Sequence, residues 1–117
     1  MPFTMSNKGR VVVAGYSNGV VRFLLLGQES FTLLSALKVH PNPIQKIIIS
    51  SNTNYVAVLS TKGEIFFLKY SDANIQDIQA YCLWETKLGI NDFCFDKTGS
   101  KLVIACRDGY LYEAIVP

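Results

Sequence analysis

One hairpin-like stretch occurs three times in this chain, and its spacing constrains the fold more than any other feature. The middle copy, Tyr55 to Tyr70, is YVAVLSTKGEIFFLKY, two runs of β-branched and aromatic residues joined by a turn that ends in glycine. The other copies span Val11 to Leu26 and Leu102 to Val116. The turn glycines follow at intervals of 63 − 19 = 44 and 109 − 63 = 46 residues, and they are Gly19, Gly63 and Gly109. A fixed period of this size predicts a repeat architecture.

The same period holds upstream of each hairpin. Ten residues before the turn glycines, in the polar segments SNKGR, SSNTN and DKTGS, stand Gly9, Thr53 and Gly99. A period of about 40 to 45 residues with four strands per unit is typical of the β-propeller blade. The sequence therefore predicts an all-β partial β-propeller of about three four-stranded antiparallel blades, the first and the last of them incomplete.

The predicted repeats cover residues 1–37, 44–84 and 90–117 of a single domain. Residues 1–5 are interpreted as the tail of a strand, and Pro41 and Pro43 mark a surface loop because proline cannot donate a ladder hydrogen bond. The other predicted strands are Val11–Tyr16, Val20–Leu26, Phe31–Leu37, Ile44–Ile49, Tyr55–Ser60, Glu64–Tyr70, Ile78–Trp84, Ile90–Phe95, Leu102–Cys106 and Tyr110–Val116.

Composition argues against several classes of partner. Half of the 117 residues are apolar and 17% are charged, below the roughly 25% of typical soluble domains. The net charge of +2 is small and its lysines and arginines are scattered, so neither nucleic acid nor a membrane surface is an expected partner. No apolar run is long enough to span a membrane, and the amino terminus lacks the apolar core of a signal peptide. A cytoplasmic protein is expected.

Residues able to support catalysis or metal binding do not converge in the sequence. His40 is the only histidine, and its place before a strand predicts a structural role. The three cysteines match neither a metal knuckle nor a disulfide framework and are interpreted as small apolar strand residues; they are Cys82, Cys94 and Cys106. We therefore expect no enzymatic activity, no cofactor and no metal.

The middle repeat resembles the WD40 repeat. It has His40 before an apolar strand, a polar turn, a second apolar strand, a turn ending in Gly63 and the strand Glu64 to Leu68. Most signature residues of that family are replaced, since Val39 stands in the place of its glycine and Leu68 in the place of its tryptophan. The resemblance implies a non-catalytic protein-interaction scaffold.

WD40 propellers usually have about seven blades, and four is the lower limit for β-propellers in general. Three blades cannot close a ring, and an open arc exposes an apolar sheet face at each end. We expect these ends to pack on further blades or on another chain. The chain is interpreted as a segment of a longer polypeptide, with self-assembly as the alternative.

Two stretches carry a narrower resemblance. GEIFFLKY from Gly63 and DGYLYEAIVP up to Pro117 resemble the WD repeats of the large cilia- and flagella-associated proteins. That resemblance implies a structural subunit of the ciliary or flagellar axoneme that tethers inner-arm dynein and supports cilium movement. The alternative is a general WD40 adaptor that recruits a protein or peptide to a cytoplasmic or nuclear complex.

Recognition by a propeller is expected on the loops of its rims, because rigid scaffolds carry binding residues on loops. One rim would gather the turns between the second and third strands of each repeat and the loops that precede the first strands. The residues predicted to bind a protein there are Asn18, His40, Asn42, Lys62, Arg107 and Asp108.

Overall fold

The computed structural model describes residues 4–39, 41–51, 54–71, 78–85 and 89–116, and these form eleven strands and no helix. The first sheet contains β1 (Thr4–Lys8), β2 (Val11–Gly15), β3 (Val20–Leu26) and β4 (Phe31–Lys38). The second contains β5 (Ile44–Ile49), β6 (Tyr55–Ser60), β7 (Glu64–Lys69) and β8 (Gln79–Glu85). The third contains β9 (Ile90–Phe95), β10 (Lys101–Cys106) and β11 (Leu111–Ile115).

Each sheet is a meander in which every strand pairs antiparallel with the next strand of the chain. The predicted all-β architecture of three blade-like antiparallel sheets is confirmed. Among the described residues, the third sheet has three strands, whereas the first, predicted to be incomplete, has four strands like the second. No helix in this part of the chain is long and apolar enough to cross a membrane.

Seven strands differ at one or both ends from the sequence prediction, all except β1 by a single residue at an end. The segment SNKGR, predicted as a turn, contributes its first three residues to β1, where Ser6 pairs with Val13 and Lys8 pairs with Val11. The turn is confined to Gly9 and Arg10, because the apolar run of β2 offers a full ladder of partners. The outer strand of the second sheet also lies one residue later than predicted, at Gln79–Glu85.

Successive side chains of β6 pack alternately into two hydrophobic cores, one on each face of the second sheet. Val56 and Val58 are fully buried and pack with side chains of the first sheet. Ala57 and Leu59 point to the opposite face and pack with side chains of the third sheet. Because neighbouring residues of a strand face opposite sides, a strand that is apolar at every position joins three stacked sheets. The second sheet is thus the centre of the arc.

The first and second sheets approach most closely at Gly15. A Cβ atom at this position would lie 2.5 Å from Cγ2 of Ile44 and 2.9 Å from Cδ1 of Ile47. No side chain fits between β2 and β5 here without displacing β5. The backbone hydrogen bond from the Ile44 N–H to the Tyr16 carbonyl, 3.1 Å long, joins the two sheets at the same end.

Candidate interaction surfaces

The turns that join the second and third strands of each sheet lie at one end of the arc, which we call the hairpin rim. It comprises residues 17–19, 61–63 and 107–109, with residues 41–43 before β5 and Gly89 before β9. Backbone bonds fix these loops against the turns, since the Thr61 N–H donates to the Pro43 carbonyl (3.1 Å) and the Arg107 N–H to the Gly89 carbonyl (3.2 Å). The same bond thus recurs one repeat later and gives the rim a regular backbone.

The structure brings two of the predicted rim residues together. Lys62, in the turn of the second sheet, and Arg107, in the turn of the third, both line a depression of about 240 Å³ between these sheets. Both residues are exposed. The described residues that line it are Gln45, Leu59, Ser60, Thr61, Lys62, Gly63, Gly89, Ile90 and Arg107.

Asn18 and Asp108 occupy the position of Lys62 in the other two repeats, and both side chains turn back onto their own hairpins. Oδ1 of Asn18 accepts a hydrogen bond from the Val20 N–H (3.2 Å), and Oδ1 of Asp108 accepts one from the Tyr110 N–H (2.9 Å). Such bonds to a backbone N–H two residues ahead stabilise tight turns. Each of these two predicted rim residues therefore has a structural role in its hairpin.

Ser60 supplies the corresponding oxygen in the second sheet, where Lys62 cannot accept a hydrogen bond. Its buried Oγ accepts bonds from the N–H groups of Lys62 (3.1 Å) and Glu64 (3.3 Å). The hydroxyl oxygen also lies 3.4 Å from Oε1 of Glu64. Sequence reasoning missed this role, although an acceptor-free residue in the turn was a signal that another oxygen had to replace it.

The remaining predicted rim residues are His40 and Asn42. His40 lies outside the described residues. Asn42 is half-buried beside Pro43, whose carbonyl accepts the bond from Thr61, so it belongs to the hairpin rim. It does not line the depression between the second and third sheets.

The free face of the third sheet repeats a pattern that is buried elsewhere. Ala57, Leu59 and Ile65 of the second sheet pack in the core against the third sheet. The residues 46 positions later, Val103, Ala105 and Leu111, are apolar as well and share the outward face of the third sheet. Leu111 is 72% exposed, and Ile115, further along the same strand, is 76% exposed.

The free face of the first sheet shows the reciprocal pattern. Val56, Leu68 and Tyr70 face the first sheet from the second, and the residues 44 positions earlier are the apolar Val12, Leu24 and Leu26. Leu26 is exposed, and the nearby strands add further exposed apolar side chains, Met5, Phe31 and Leu33.

The described cysteines differ from each other. Cys106 is buried in the core between the second and third sheets, and burial, with a smaller contribution from the charge of Asp108, raises the pKa of its thiol. Cys94 lies on strand β9, as predicted, but it is exposed on the outward face of that strand. The side chain of Cys82 lies outside the described residues. Within the described ranges, no three His, Cys, Asp or Glu residues are grouped to hold a metal ion.

Comparison with known proteins identifies the fold. No family model matches the chain, and no curated protein matches it. The β-propeller domain of Cps50 (Swd1) from Myceliophteria thermophila aligns with 97% of the chain at a TM-score of 0.77 and 15% identity, over 39% of its own length. The computationally designed Ika4 protein aligns at a TM-score of 0.74 and 18% identity, over 64% of its own length. Hsv2 from Kluyvelomyces marxianus aligns at a TM-score of 0.70 and 18% identity, over 34% of its own length.

These values show that the chain has the fold of β-propeller blades, as predicted. The chain spans less than two thirds of each of these three structures. At such identities the likeness concerns the fold alone.

Proposed function

We propose that this chain is a non-catalytic, structural and protein-interaction scaffold, a group of propeller blades whose two end faces pack against further blades. The observation that carries the proposal is that apolar residues on both free faces occupy repeat positions whose equivalents are buried between sheets. Leu111 is mostly exposed although its equivalent one repeat earlier, Ile65, is fully buried between two sheets. Exposed apolar sheet faces of this kind mark interfaces in repeat proteins.

The two free faces are equivalent to the two sides of the internal junctions. In the isolated chain each face therefore finds its partner on a second copy, and copies should associate head to tail. We expect the purified chain to sediment as an oligomer in analytical ultracentrifugation. Replacing Leu111 and Ile115 together by Glu should shift the chain towards monomer, since burial of two carboxylates opposes sheet stacking.

A matched control places the same charge elsewhere. Lys97→Glu, in the exposed turn between β9 and β10, should leave the oligomer unchanged. A wild-type chain that stays monomeric and binds no more apolar dye than the Leu111→Glu, Ile115→Glu variant would contradict the proposed role of these faces.

For the finer function we propose a place in the ciliary or flagellar axoneme, in a protein resembling cilia- and flagella-associated protein 44 that tethers inner-arm dynein. This part is supported by the two sequence stretches GEIFFLKY and DGYLYEAIVP alone. Antibody staining confined to cilia or flagella is the expected result. Diffuse cytosolic or nuclear staining would instead favour the general adaptor that recruits a protein or peptide to another complex.

A further inference from the structure

The two junctions between sheets differ at the hairpin rim. At the first junction, the Ile44 N–H donates to the Tyr16 carbonyl across the sheets. The repeat-equivalent residues at the second junction are Ile90 and Ser60, and no corresponding bond joins them in the described part of the chain. Both residues line the depression of about 240 Å³ instead. The second junction is therefore open at the point where the first is closed.

The opening is positively charged. Its described lining residues include Lys62 and Arg107, and none of these described residues is a carboxylate. Within the described residues neither cation forms an ion pair, because the pairs found there join Lys46 with Asp92 and Lys101 with Glu113. Two unpaired cations on facing walls of a depression favour a bound anion.

Among the described side chains, the nearby carboxylates Glu64 and Asp108 have other partners. Glu64 lies within reach of the Ser60 hydroxyl, and Oδ2 of Asp108 accepts a hydrogen bond of 2.6 Å from the phenol of Tyr112. Each carboxylate is thus occupied within its own hairpin.

Arg107 lies against the backbone of Gly89. A Cβ atom at Gly89 would stand 2.9 Å from Cδ and 3.0 Å from Nε of Arg107, so the side chain occupies space that only glycine leaves open. The backbone bond from the Arg107 N–H to the Gly89 carbonyl holds the two residues together. A guanidinium supported in this way loses less freedom when it binds a ligand.

The donors available to a ligand are side chains. The N–H groups of Thr61, Lys62, Gly63 and Arg107 all donate to protein oxygens, so they form no backbone nest for phosphate. The guanidinium fork matches a planar carboxylate, and an ammonium adds a second charge. At about 240 Å³ the depression is smaller than the roughly 300 to 1,000 Å³ of small-molecule sites, which fits one side chain of a protein ligand.

We propose that the depression between the second and third sheets binds an Asp or Glu side chain of an acidic protein segment, held by Lys62 and Arg107. This rests on the proposed scaffold function and deepens it by naming the partner chemistry of its rim. The end faces lie on different surfaces, so failure of one proposal is distinguishable from failure of the other.

The test is the binding of fluorescein-labelled hexaglutamate to the purified chain, followed by fluorescence anisotropy at low ionic strength, with labelled hexaglutamine as the neutral probe. The double variant Lys62→Gln, Arg107→Gln should bind hexaglutamate about tenfold or more weakly. Arg107→Lys keeps the charge but loses the fork, and we expect an intermediate loss. The control Lys97→Gln removes a cation from the turn between β9 and β10, outside the hairpin rim, and should bind as the wild type does.

Equal binding by the wild type and the double variant would overturn the proposal. An equal loss in Lys97→Gln would also overturn it, because it would show attraction by net charge alone. A peptide carrying a phosphoserine that binds more than about tenfold tighter than hexaglutamate would reassign the site to phosphate. Circular dichroism of every variant should match the wild type, since both cations are exposed and outside the cores.

Discussion

The phenolic hydroxyl of Tyr112 donates a hydrogen bond to the carboxylate of Asp108, with Oη and Oδ2 2.6 Å apart. The bond joins the turn of the last hairpin to its third strand. It lowers the pKa of Asp108, with help from the Tyr110 N–H, and it raises the pKa of Tyr112. Asp108 thus stabilises its own hairpin, although its sequence position predicts a binding residue on the rim.

We expect Tyr112→Phe to raise the pKa of Asp108 towards its ordinary value of 3.8. Because the folded pKa of Asp108 is depressed, its contribution to stability is present above the unfolded pKa and is lost as pH falls through the folded one. The contribution of Tyr112 to stability has the opposite pH dependence, because its pKa is raised in the folded state: it is lost as pH rises through that pKa. Carboxyl NMR titration measures the shift, and an Asp108 pKa that is the same in both proteins would contradict the bond. Asp96, in a separate turn, serves as the control.

Ser60→Ala should destabilise the chain by about 1 to 2 kcal/mol, because it leaves two backbone N–H groups without their side-chain acceptor next to a buried strand. Urea unfolding measures the loss, and amide hydrogen exchange at Lys62 and Glu64 should become faster. Asn18→Ala, which removes one bond at an exposed turn, should cost less. Equal costs would mean that the Ser60 hydroxyl does not hold the turn.

Gly15→Ala should cost about 1 to 3 kcal/mol in the free energy of unfolding, since the added methyl group would meet Ile44 at 2.5 Å. Gly9→Ala is the matched comparison, because Gly9 has a φ of 58° and no atom within 4 Å of the added carbon. Gly9→Ala therefore measures the cost of backbone strain without a steric contact, and we expect it to lower the free energy of unfolding by about 1 kcal/mol. A negligible cost for Gly15→Ala would show that the two sheets separate freely.

Phe23→Ala should lower the free energy of unfolding by about 3 to 5 kcal/mol, because Phe23 is fully buried between the first two sheets. Its ring packs edge-on against that of Tyr70, with the ring centroids 5.6 Å apart. Tyr110→Ala deletes a ring that is 69% exposed and should change stability by no more than about 0.5 kcal/mol. Chemical denaturation of both variants checks the difference. Similar losses would argue against a single core between the two sheets.

Lys46 on β5 and Asp92 on β9 form an ion pair across the second junction, and the bond from Lys46 is the main reason for the lowered pKa of Asp92. Both side chains are more than one third exposed, so Lys46→Gln should cost less than about 1 kcal/mol, with a smaller cost in high salt. The pKa of Asp92 should rise in this variant, which NMR titration measures. Lys101→Gln, which affects a pair within the third sheet, should leave the pKa of Asp92 unchanged.

The sequence alone determined the repeat, the approximate positions of the strands and the three hairpin turns. Alternation of apolar residues fixed the two faces of β6, and the spacing of Gly19, Gly63 and Gly109 fixed the hairpin turns, where all three have positive φ. These features depend on local geometry, since side-chain alternation and turn chemistry act within a few residues. Sequence alone therefore gave the all-β architecture and the candidate rim residues.

Only the tertiary structure decided which rim residues act together. Lys62 and Arg107 are 45 positions apart, and they line one depression because the second and third sheets stack without the backbone bond that closes the first junction. Asn18 and Asp108 were equal candidates by position, yet their oxygens bond to their own turns. The packing of sheets across a junction is set by contacts between distant segments, and no local pattern carries that information.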